Sequence, residues 1–283
     1  MVESAVRLGD WLRGASRRLG TRGCGEPTRE ARLIWAAVSG REPSEYQPAE
    51  MLVEPAILSQ LDGLLMRRLS GEPLAHVTGL AGFRRLTLKS DGRALIPRPE
   101  TEGLVELMLA RVTQGRVADL GTGSGCIALS LADEGQFDRV VGVDCSRDAL
   151  ALAGENRTRT GLEVDLVHGE WFAPLAGERF EALISNPPYL TAAELDELDP
   201  SVRNYEPPGA LASGVDGLEA TRLLLTGGQS LLRPGGWIGL ELDCRRAEAS
   251  ASIAVSAGWN RVTLHQDLFG RDRYLLAQRS DGQ

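Results

Sequence analysis

The chain has 283 residues, of which 42% are hydrophobic and 25% charged, which is typical of folded globular proteins. Its net charge of −8 argues against a protein that grips nucleic acid phosphates through a basic surface. No membrane span is expected, because no apolar run approaches about 18 residues, and the charged N-terminal stretch does not resemble a signal peptide. The four cysteines and three histidines are scattered. We therefore expect neither a metal site nor a disulfide framework, and a cytoplasmic location.

Residues 1–72 predict a small helical domain. In SAVRLGDWLRGASRRL the apolar side chains recur near the 3.6-residue period of an α-helix. Two further stretches, TREARLIWAAVSG and PAILSQLDGLLMRRLSG, also read as helices, and each closes on glycine. No strand is predicted in this part of the chain. Trp11, Trp35 and the leucines are expected to form its core.

Residues 73–97 predict a connecting β-hairpin. Short alternating runs are separated there by Gly79, Gly82 and the pair Asp91-Gly92.

Residues 98–283 predict a larger α/β domain, because strand, glycine and helix follow one another repeatedly. Such alternation indicates a doubly wound, mainly parallel sheet. Seven strands are predicted, at 116–121, 139–144, 164–168, 180–185, 236–242, 261–266 and 273–278.

A glycine-rich turn, DLGTGSG, ends the first of these strands directly before a predicted helix. Glycines let the backbone approach a ligand, and a helix N-terminus presents free N–H groups. The spacing G-x-G-x-G differs from the dinucleotide motif G-x-G-x-x-G, which weighs against an NAD-dependent oxidoreductase. The turn predicts a nucleotide-type site; its members are Asp119, Gly121, Thr122, Gly123, Ser124 and Gly125.

Polar and aromatic residues follow the next two strands. Asp144 ends the second strand, where a carboxylate can accept both ribose hydroxyls of a nucleoside. The alternative role of helix N-cap can be filled by Ser146. After the third strand, Glu170 could accept an adenine amino group and Trp171 could cover the base, although Trp171 could equally belong to the core.

The fourth strand ends in Asn186-Pro187-Pro188-Tyr189. Proline stiffens the backbone, removes N–H donors and holds the preceding residue extended. The Asn186 side-chain oxygen and the Pro187 carbonyl could therefore hold the two N–H groups of a planar amide, with the Tyr189 ring stacked on it. These two acceptors would orient an amide nitrogen that becomes positively charged as it attacks an electrophile. No strong general base is needed, because the resulting cation loses its proton readily.

Several longer motifs accompany these residues: PLAHVTG, LIPRPETE at 95–102, VDCSRDALALAGEN at 143–156, YEPPGALASGVDGL at 205–218 and DLFGRDRYLLA at 267–277. With them the chain resembles the peptide chain release factor glutamine N5-methyltransferases (the PrmC/HemK family), which are class I S-adenosylmethionine-dependent methyltransferases. The combination of LIPRPETE and NPPY is specific. NPPY alone is shared with enzymes that methylate amino groups of DNA and RNA.

The resemblance implies a reaction and roles for the residues. A methyl group would pass from S-adenosyl-L-methionine, leaving S-adenosyl-L-homocysteine, to the glutamine of the Gly-Gly-Gln motif of class I release factors. The turn from Gly121 to Gly125, with Asp144 and Trp171, would bind the cofactor. Asn186 would touch cofactor and substrate, and Pro187, Pro188 and Tyr189 would complete the amide site. Residues 1–72 would dock the release factor, and a monomer without direct nucleic acid or membrane contact is expected.

One stretch departs from the family pattern. Similar sequences often carry Glu-x-Gly and a glutamine after the fifth strand, whereas this chain reads GLELDCRRA. Glu241 remains, but Asp243 and Arg246 replace the glycine and the glutamine, which leaves the role of the loop Asp243-Cys244-Arg245-Arg246 open.

Other interpretations stay open at this level. A ribosomal-protein glutamine methyltransferase and a nucleic-acid adenine N6-methyltransferase would use the same hydrogen-bond acceptors of the NPPY motif. Arg98, Glu100 and Glu102 could shape the floor of the site or only charge the start of a helix. Glu206 could anchor a loop or contact substrate.

Overall fold

The structure is a computed structural model that describes residues 6–41 and 48–280. The chain divides into two units: Met1–Leu80 with Pro200–Tyr205, and Ala81–Asp199 with Glu206–Gln283. Within the predicted domains 1–72 and 98–283, residues 1–5, 42–47 and 281–283 lie outside the described residues. The domain bounds at residues 72 and 97 stay predictions. No helix in the described ranges is both long and apolar enough to cross a membrane.

The first unit is mainly helical. Its elements in chain order are β1 (Val6–Arg7), α1 (Leu8–Thr21), α2 (Pro27–Ser39), β2 (Leu52–Val53), α3 (Pro55–Leu69), α4 (Leu74–Thr78) and, from the second segment, α9 (Pro200–Arg203).

The core of this unit is built by one face of each of the three longer helices. In α1 the buried residues Leu8, Trp11, Ala15 and Leu19 are spaced three or four apart, as one helical face requires. They cluster with apolar side chains of α2 and α3. The indole Nε1 of Trp11 donates a 2.9 Å hydrogen bond to Oδ1 of Asp62 in α3. The polar N–H group of this buried ring therefore has a hydrogen-bond partner. The predicted core role of Trp11 is confirmed.

Two sequence-based expectations for this region are wrong. β1 and β2 form an antiparallel pair in which Val6 opposes Val53, although no strand was expected. Two-residue strands are too short to show an alternating pattern. Residues 73–97 are not a hairpin alone, because Leu74–Thr78 is a helical turn that ends on Gly79 in the left-handed conformation.

The hairpin itself is confined to β3 (Leu80–Phe83) and β4 (Leu86–Lys89). Its turn is at Arg84, with φ of 50°. Asp91-Gly92 begins a separate turn after β4. Tertiary contacts hold the unusual conformation of Arg84. The backbone N–H of Arg84 donates to Oε1 of Glu102 at 3.0 Å, and its guanidinium pairs with Glu134. Glu102 therefore anchors this turn.

The second unit alternates strands and helices. Its helices are α5 (Pro99–Leu109), α6 (Cys126–Glu134), α7 (Arg147–Thr160), α8 (Ala192–Asp196), α10 (Glu219–Gly227) and α11 (Ala247–Ser256). Its main strands are β5 (Gln114–Leu120), β6 (Gln136–Asp144), β7 (Asp165–His168), β8 (Phe180–Ser185), β9 (Leu232–Glu241), β10 (Asn260–Gln266) and β11 (Asp272–Gln278).

These strands form one seven-stranded sheet in the order β10-β11-β9-β8-β5-β6-β7. β5 to β9 are parallel, and β11 is antiparallel to both of its neighbours. Two apolar clusters of buried residues pack against the sheet. The predicted doubly wound, mainly parallel seven-stranded sheet is confirmed. The chain turns from β5 to β6 and β7 on one side, then returns to β8 on the other, so the carboxyl ends of β5 and β8 flank a topological switch point, where α/β sheets bind ligands.

Candidate active site

A cavity of about 340 Å³ lies at this switch point. Its lining comes from the carboxyl ends of four neighbouring strands, from the segment before α5 and from a loop near residue 209. Lining residues are Arg93–Arg98, Thr101, Gly121–Ser124, Cys126, Ile127, Asp144–Ser146, Ala149, Trp171, Asn186, Pro188, Pro207, Gly209 and Ala210. The volume is within the range of small-molecule sites, and the four separate sequence motifs meet in one place.

The glycine turn is fixed from below by Asp119. This residue is completely buried, and its Oδ2 accepts hydrogen bonds from Thr122 Oγ1 at 2.6 Å and from the Ala128 N–H at 3.2 Å. Burial raises the pKa of Asp119 to about 7, while these two hydrogen bonds oppose the rise. Asp119 does not line the cavity. It supports the turn, and its direct contact with a cofactor stays a prediction.

The turn leaves room for a ligand at two glycines. Gly121 has φ of 77° and Gly123 has φ of 55°, a region that glycine enters without steric cost. A Cβ built on Gly121 would lie 3.6 Å from the Trp171 ring, inside the lined space. Gly125 does not line the cavity; a Cβ there would meet Ala153 at 3.2 Å, so this position serves the packing of α6 against α7.

Asp144 joins the glycine turn to the next helix. Its Oδ2 accepts the Gly123 N–H and its Oδ1 the Ser146 N–H, both at 2.8 Å. Ser146 caps α7 through its own hydroxyl, which accepts the Ala149 N–H. Asp144 is therefore not needed as the side-chain cap. Each carboxylate oxygen has a second lone pair, so both can still accept a ribose hydroxyl.

Trp171 is half-buried and lines the cavity above Gly121. Its φ of 44° is uncommon for a bulky residue and directs the ring over the turn. The ring also packs against the edge of one apolar cluster, so it has both a core face and a cavity face. Glu170 is exposed and outside the lining, so its role as an adenine acceptor stays a prediction.

The NPPY motif follows β8 directly. Asn186 and Pro188 line the cavity, while Pro187 is buried and does not. Neither the Asn186 side-chain oxygen nor the Pro187 carbonyl accepts a hydrogen bond from any residue that the structure describes. Burial, followed by the nearby charge of Glu241, raises the pKa of the Tyr189 phenol well above its ordinary value, so this group stays neutral.

Asn186 is held from behind by α5. Its Nδ2 donates a 3.1 Å hydrogen bond to Thr101 Oγ1, and Thr101 Oγ1 donates a 2.7 Å hydrogen bond to Oε2 of Glu241 at the end of β9. Sequence reasoning missed Thr101. Its signal was present, since Thr101 is the one small polar residue among the charges of LIPRPETE.

A loop beside the cavity is anchored by Glu206. This carboxylate is buried and accepts from the Arg98 guanidinium at 2.6 Å and from the Ile96 N–H at 3.2 Å. Arg98 thus lines the cavity while paired, and Glu206 fills the loop-anchor role that the sequence left open. The loop continues to Ser213, whose N–H donates to the Leu190 carbonyl at 2.7 Å, just after the NPPY motif.

The atypical loop after β9 forms an ion-pair network. Both oxygens of Glu194 accept from Nη2 of Arg246, at 2.9 and 2.8 Å. The same guanidinium donates to Oδ2 of Asp243 at 2.9 Å and to the Asp216 carbonyl at 2.7 Å. Arg246 therefore ties β9 to α8 and to the loop before α10, which both follow the NPPY motif in the chain.

The lining fits S-adenosylmethionine. Two left-handed glycines leave a backbone cradle, Asp144 offers acceptors for a ribose, and Trp171 offers an apolar face for a base. Asn186 and Pro188 also line the cavity, so a methyl acceptor held by the end of β8 would lie beside the cofactor.

Comparisons with known proteins agree with this geometry. Residues 10–79 match the family model of the PrmC N-terminal domain, and residues 99–198 match the methyltransferase small domain. Among solved structures, a methyltransferase from Pyrococcus furiosus superposes with a TM-score of 0.52 at 17% identity, covering 68% of this chain and 88% of that one. The Thermus thermophilus 16S rRNA methyltransferase RsmC, in complex with AdoMet and guanosine, gives a TM-score of 0.50 at 18% identity, covering 71% and 49%. These two likenesses show the fold.

Curated relatives extend over the whole chain. A release factor glutamine methyltransferase from Deinococcus radiodurans is 39% identical over 282 residues, covering 98% of this chain and 100% of the relative. A protein of the same name from Geobacter sulfurreducens is 38% identical, covering 93% of each, and one from Moorella thermoacetica is 40% identical, covering 94% and 96%. The chain belongs to the release factor glutamine methyltransferase family.

Proposed function

We propose that this protein methylates the side-chain amide nitrogen of the glutamine in the Gly-Gly-Gln motif of class I peptide chain release factors, with S-adenosylmethionine as methyl donor. The observation that carries the proposal is Asn186, whose amide is held by Thr101 at the wall of a cofactor-sized cavity. The names of the relatives support the substrate.

The chemistry follows from the acceptors at the end of β8. Bound S-adenosylmethionine would supply an electrophilic methyl group. The glutamine nitrogen is a weak nucleophile, because its lone pair is delocalised into the carbonyl. The Asn186 oxygen and the Pro187 carbonyl would each accept one of its N–H groups, which orients the lone pair and stabilises the positive charge that develops on the nitrogen. The neutral Tyr189 ring would stack on the planar amide.

The remaining residues bind and orient. Asp144 would accept the ribose hydroxyls, Trp171 and Glu170 would face the adenine, and the turn around Gly121 and Gly123 would let the cofactor approach the backbone. The enzyme would act as a monomer. A release factor as substrate would place the enzyme in the cytoplasm. The helical unit, which has its own core, would supply the additional binding surface that a slim Gly-Gly-Gln tip lacks.

The test is a methylation assay with purified protein, S-adenosylmethionine and a full-length release factor. We expect one added methyl group on the tip peptide, located by mass spectrometry on the glutamine, and none when that glutamine is replaced by asparagine. Parallel reactions with ribosomal protein, DNA and RNA separate the alternatives. Methylation of one of these, with an unmodified release factor, would show that the substrate is wrong.

A further inference from the structure

Behind Asn186 lies a chain of hydrogen bonds that the reaction itself does not use. It runs from Asn186 at the end of β8, through Thr101 in the first turn of α5, to Glu241 at the end of β9. Ser185 is paired with Leu240 in the parallel ladder, so the next residues along both strands, Asn186 and Glu241, are neighbours at the same edge of the sheet. Thr101 and Glu241 are each only 2% exposed.

This chain has a direction that its chemistry imposes. Above its pKa of about 7 Glu241 is ionised and only accepts hydrogen bonds, so the single hydroxyl hydrogen of Thr101 is then directed to Glu241. The Thr101 oxygen can then only accept, and the group of Asn186 that faces it must be the NH₂ end of the amide. The oxygen of Asn186 is thereby directed away from Thr101.

The opposite amide orientation would disable the site. The two ends of an asparagine amide have nearly the same shape, so packing alone does not distinguish them. With the amide reversed, its NH₂ group would meet the N–H groups of the substrate, and two donors would face each other. The Asn186 oxygen would face the Thr101 oxygen, where no hydrogen is left to share. The orientation of one amide therefore decides whether the substrate nitrogen meets an acceptor.

Stability alone does not account for Glu241. A carboxylate that is almost fully buried loses its hydration, and its hydrogen bond to the neutral Thr101 hydroxyl, with the nearby charges of Arg273 and Arg98, offsets only part of that cost. Because this loss of hydration disfavours the charged form, burial raises the pKa of Glu241 to about 7, although the Thr101 hydrogen bond opposes the rise. The burial of Glu241 is explained if its carboxylate sets the direction of the Thr101 and Asn186 hydrogen bonds.

We propose that Thr101 and Glu241 are positioning residues that hold the Asn186 amide with its oxygen toward the substrate nitrogen. The proposal rests on the proposed function for the identity of the substrate. The direction of the amide can also be observed without any substrate.

The kinetic experiment compares Thr101→Val, which keeps the shape but removes the hydroxyl, with Thr101→Ser, which keeps the hydroxyl. Wild-type turnover of a full-length release factor is measured in the same assay and tests the proposed function separately. We expect Thr101→Val to lower kcat by about 10- to 100-fold with KM and cofactor affinity nearly unchanged, and Thr101→Ser to recover most of the rate. Equal loss in both variants, or a Val variant as fast as wild type, would overturn the proposal.

A double-mutant cycle tests whether Thr101 acts through Asn186. In an Asn186→Ala background, Thr101→Val should lower kcat little further, because the amide that it orients is gone. Additive losses would show that Thr101 acts elsewhere.

The third measurement needs no substrate. In isotope-labelled protein, the side-chain NH₂ signal of Asn186, identified by its loss in Asn186→Ala, should exchange slowly with water in the wild type. It should exchange much faster in Thr101→Val and remain slow in Thr101→Ser. If the exchange rate is the same in all three proteins, the amide is not held by Thr101, whatever the substrate proves to be.

Discussion

The backbone N–H of Gly123 donates a 2.8 Å hydrogen bond to Oδ2 of Asp144, which joins the glycine turn after β5 to the end of β6. The other oxygen of Asp144 accepts the Ser146 N–H at the start of α7. One carboxylate that lines the cavity therefore fixes two loops, and each of its oxygens keeps a lone pair.

The first prediction concerns Asp144→Ala. Hydrogen bonds to a charged group contribute ~1.5–3 kcal/mol each, so we expect S-adenosylmethionine affinity in calorimetry to fall at least tenfold. Asp144→Asn should have a smaller effect, because one acceptor oxygen remains. Asp148→Asn, in the first turn of α7 and outside the cavity lining, is the matched control and should bind normally. Undiminished affinity in Asp144→Ala would remove this residue from the ribose role.

The second prediction concerns Asn186→Ala. Loss of one preorganised transition-state partner typically costs ~10²–10³ in rate, and we expect kcat on a release factor to fall by that factor. The thermal midpoint should change little, because Asn186 is only half-buried and makes one side-chain hydrogen bond. A folded Asn186→Ala protein with near-normal turnover would exclude the acceptor mechanism.

The third prediction concerns the helical unit. A protein lacking residues 1–80 should bind S-adenosylmethionine with unchanged affinity, since all the cavity-lining residues lie beyond residue 80. Its kcat/KM for a full-length release factor should fall at least tenfold, mainly through KM, if the helical unit supplies binding surface. An excised Gly-Gly-Gln peptide, used as control substrate, should react equally with both proteins. If the truncated enzyme treats the full-length factor normally, the docking role is wrong.

The sheet and the cofactor side of the cavity could be predicted because their signals are local. Each strand is a short apolar run that ends in its own functional residue, so Asp144, Trp171 and Asn186 could be assigned from their neighbours in sequence. Their common position follows from the rule that parallel strands carry ligands at their carboxyl ends.

Contacts between distant residues could not be predicted. Thr101 and Asn186 are 85 positions apart, and only the folded sheet shows that they meet. The turn at Arg84 is similar, because its left-handed backbone donates to Glu102, 18 positions away, and its guanidinium pairs with Glu134, 50 positions away. In both cases a tertiary hydrogen bond overrides or adds to what the local residues indicate.

The fourth prediction concerns the loop that departs from the family pattern. Arg246→Gln should free the Asp216 carbonyl and leave Glu194 paired only with the exposed Arg245, and so loosen the segments that follow Tyr189. We expect the KM for a release factor to rise several-fold and limited proteolysis in the loop near Asp216 to accelerate, because a buried ion-pair network loses its central cation. The matched control is Arg222→Gln, which removes an exposed pair with the side chain of Asp216 and leaves the contact of Arg246 with the Asp216 carbonyl intact. Equal behaviour of the two variants would show that the network does not restrain the loop.

The last prediction uses the raised pKa of Glu241 and concerns the pH dependence of stability. Because the pKa is about 7 in the folded protein and near 4.5 when unfolded, the folded state holds an extra proton between these values. The contribution of Glu241 to stability is therefore full below about pH 4.5 and is lost as the pH rises through 7. At 1.36 kcal/mol per pKa unit the loss is on the order of 3 kcal/mol. Glu241→Gln removes this titration, so the variant should gain stability relative to wild type as the pH rises from 5.5 to 8. Urea unfolding of both proteins at the two pH values gives the difference directly, and the other titrating groups, Asp119 included, cancel in it. A wild-type-to-variant difference that does not change with pH would show that Glu241 titrates alike in the folded and unfolded chain.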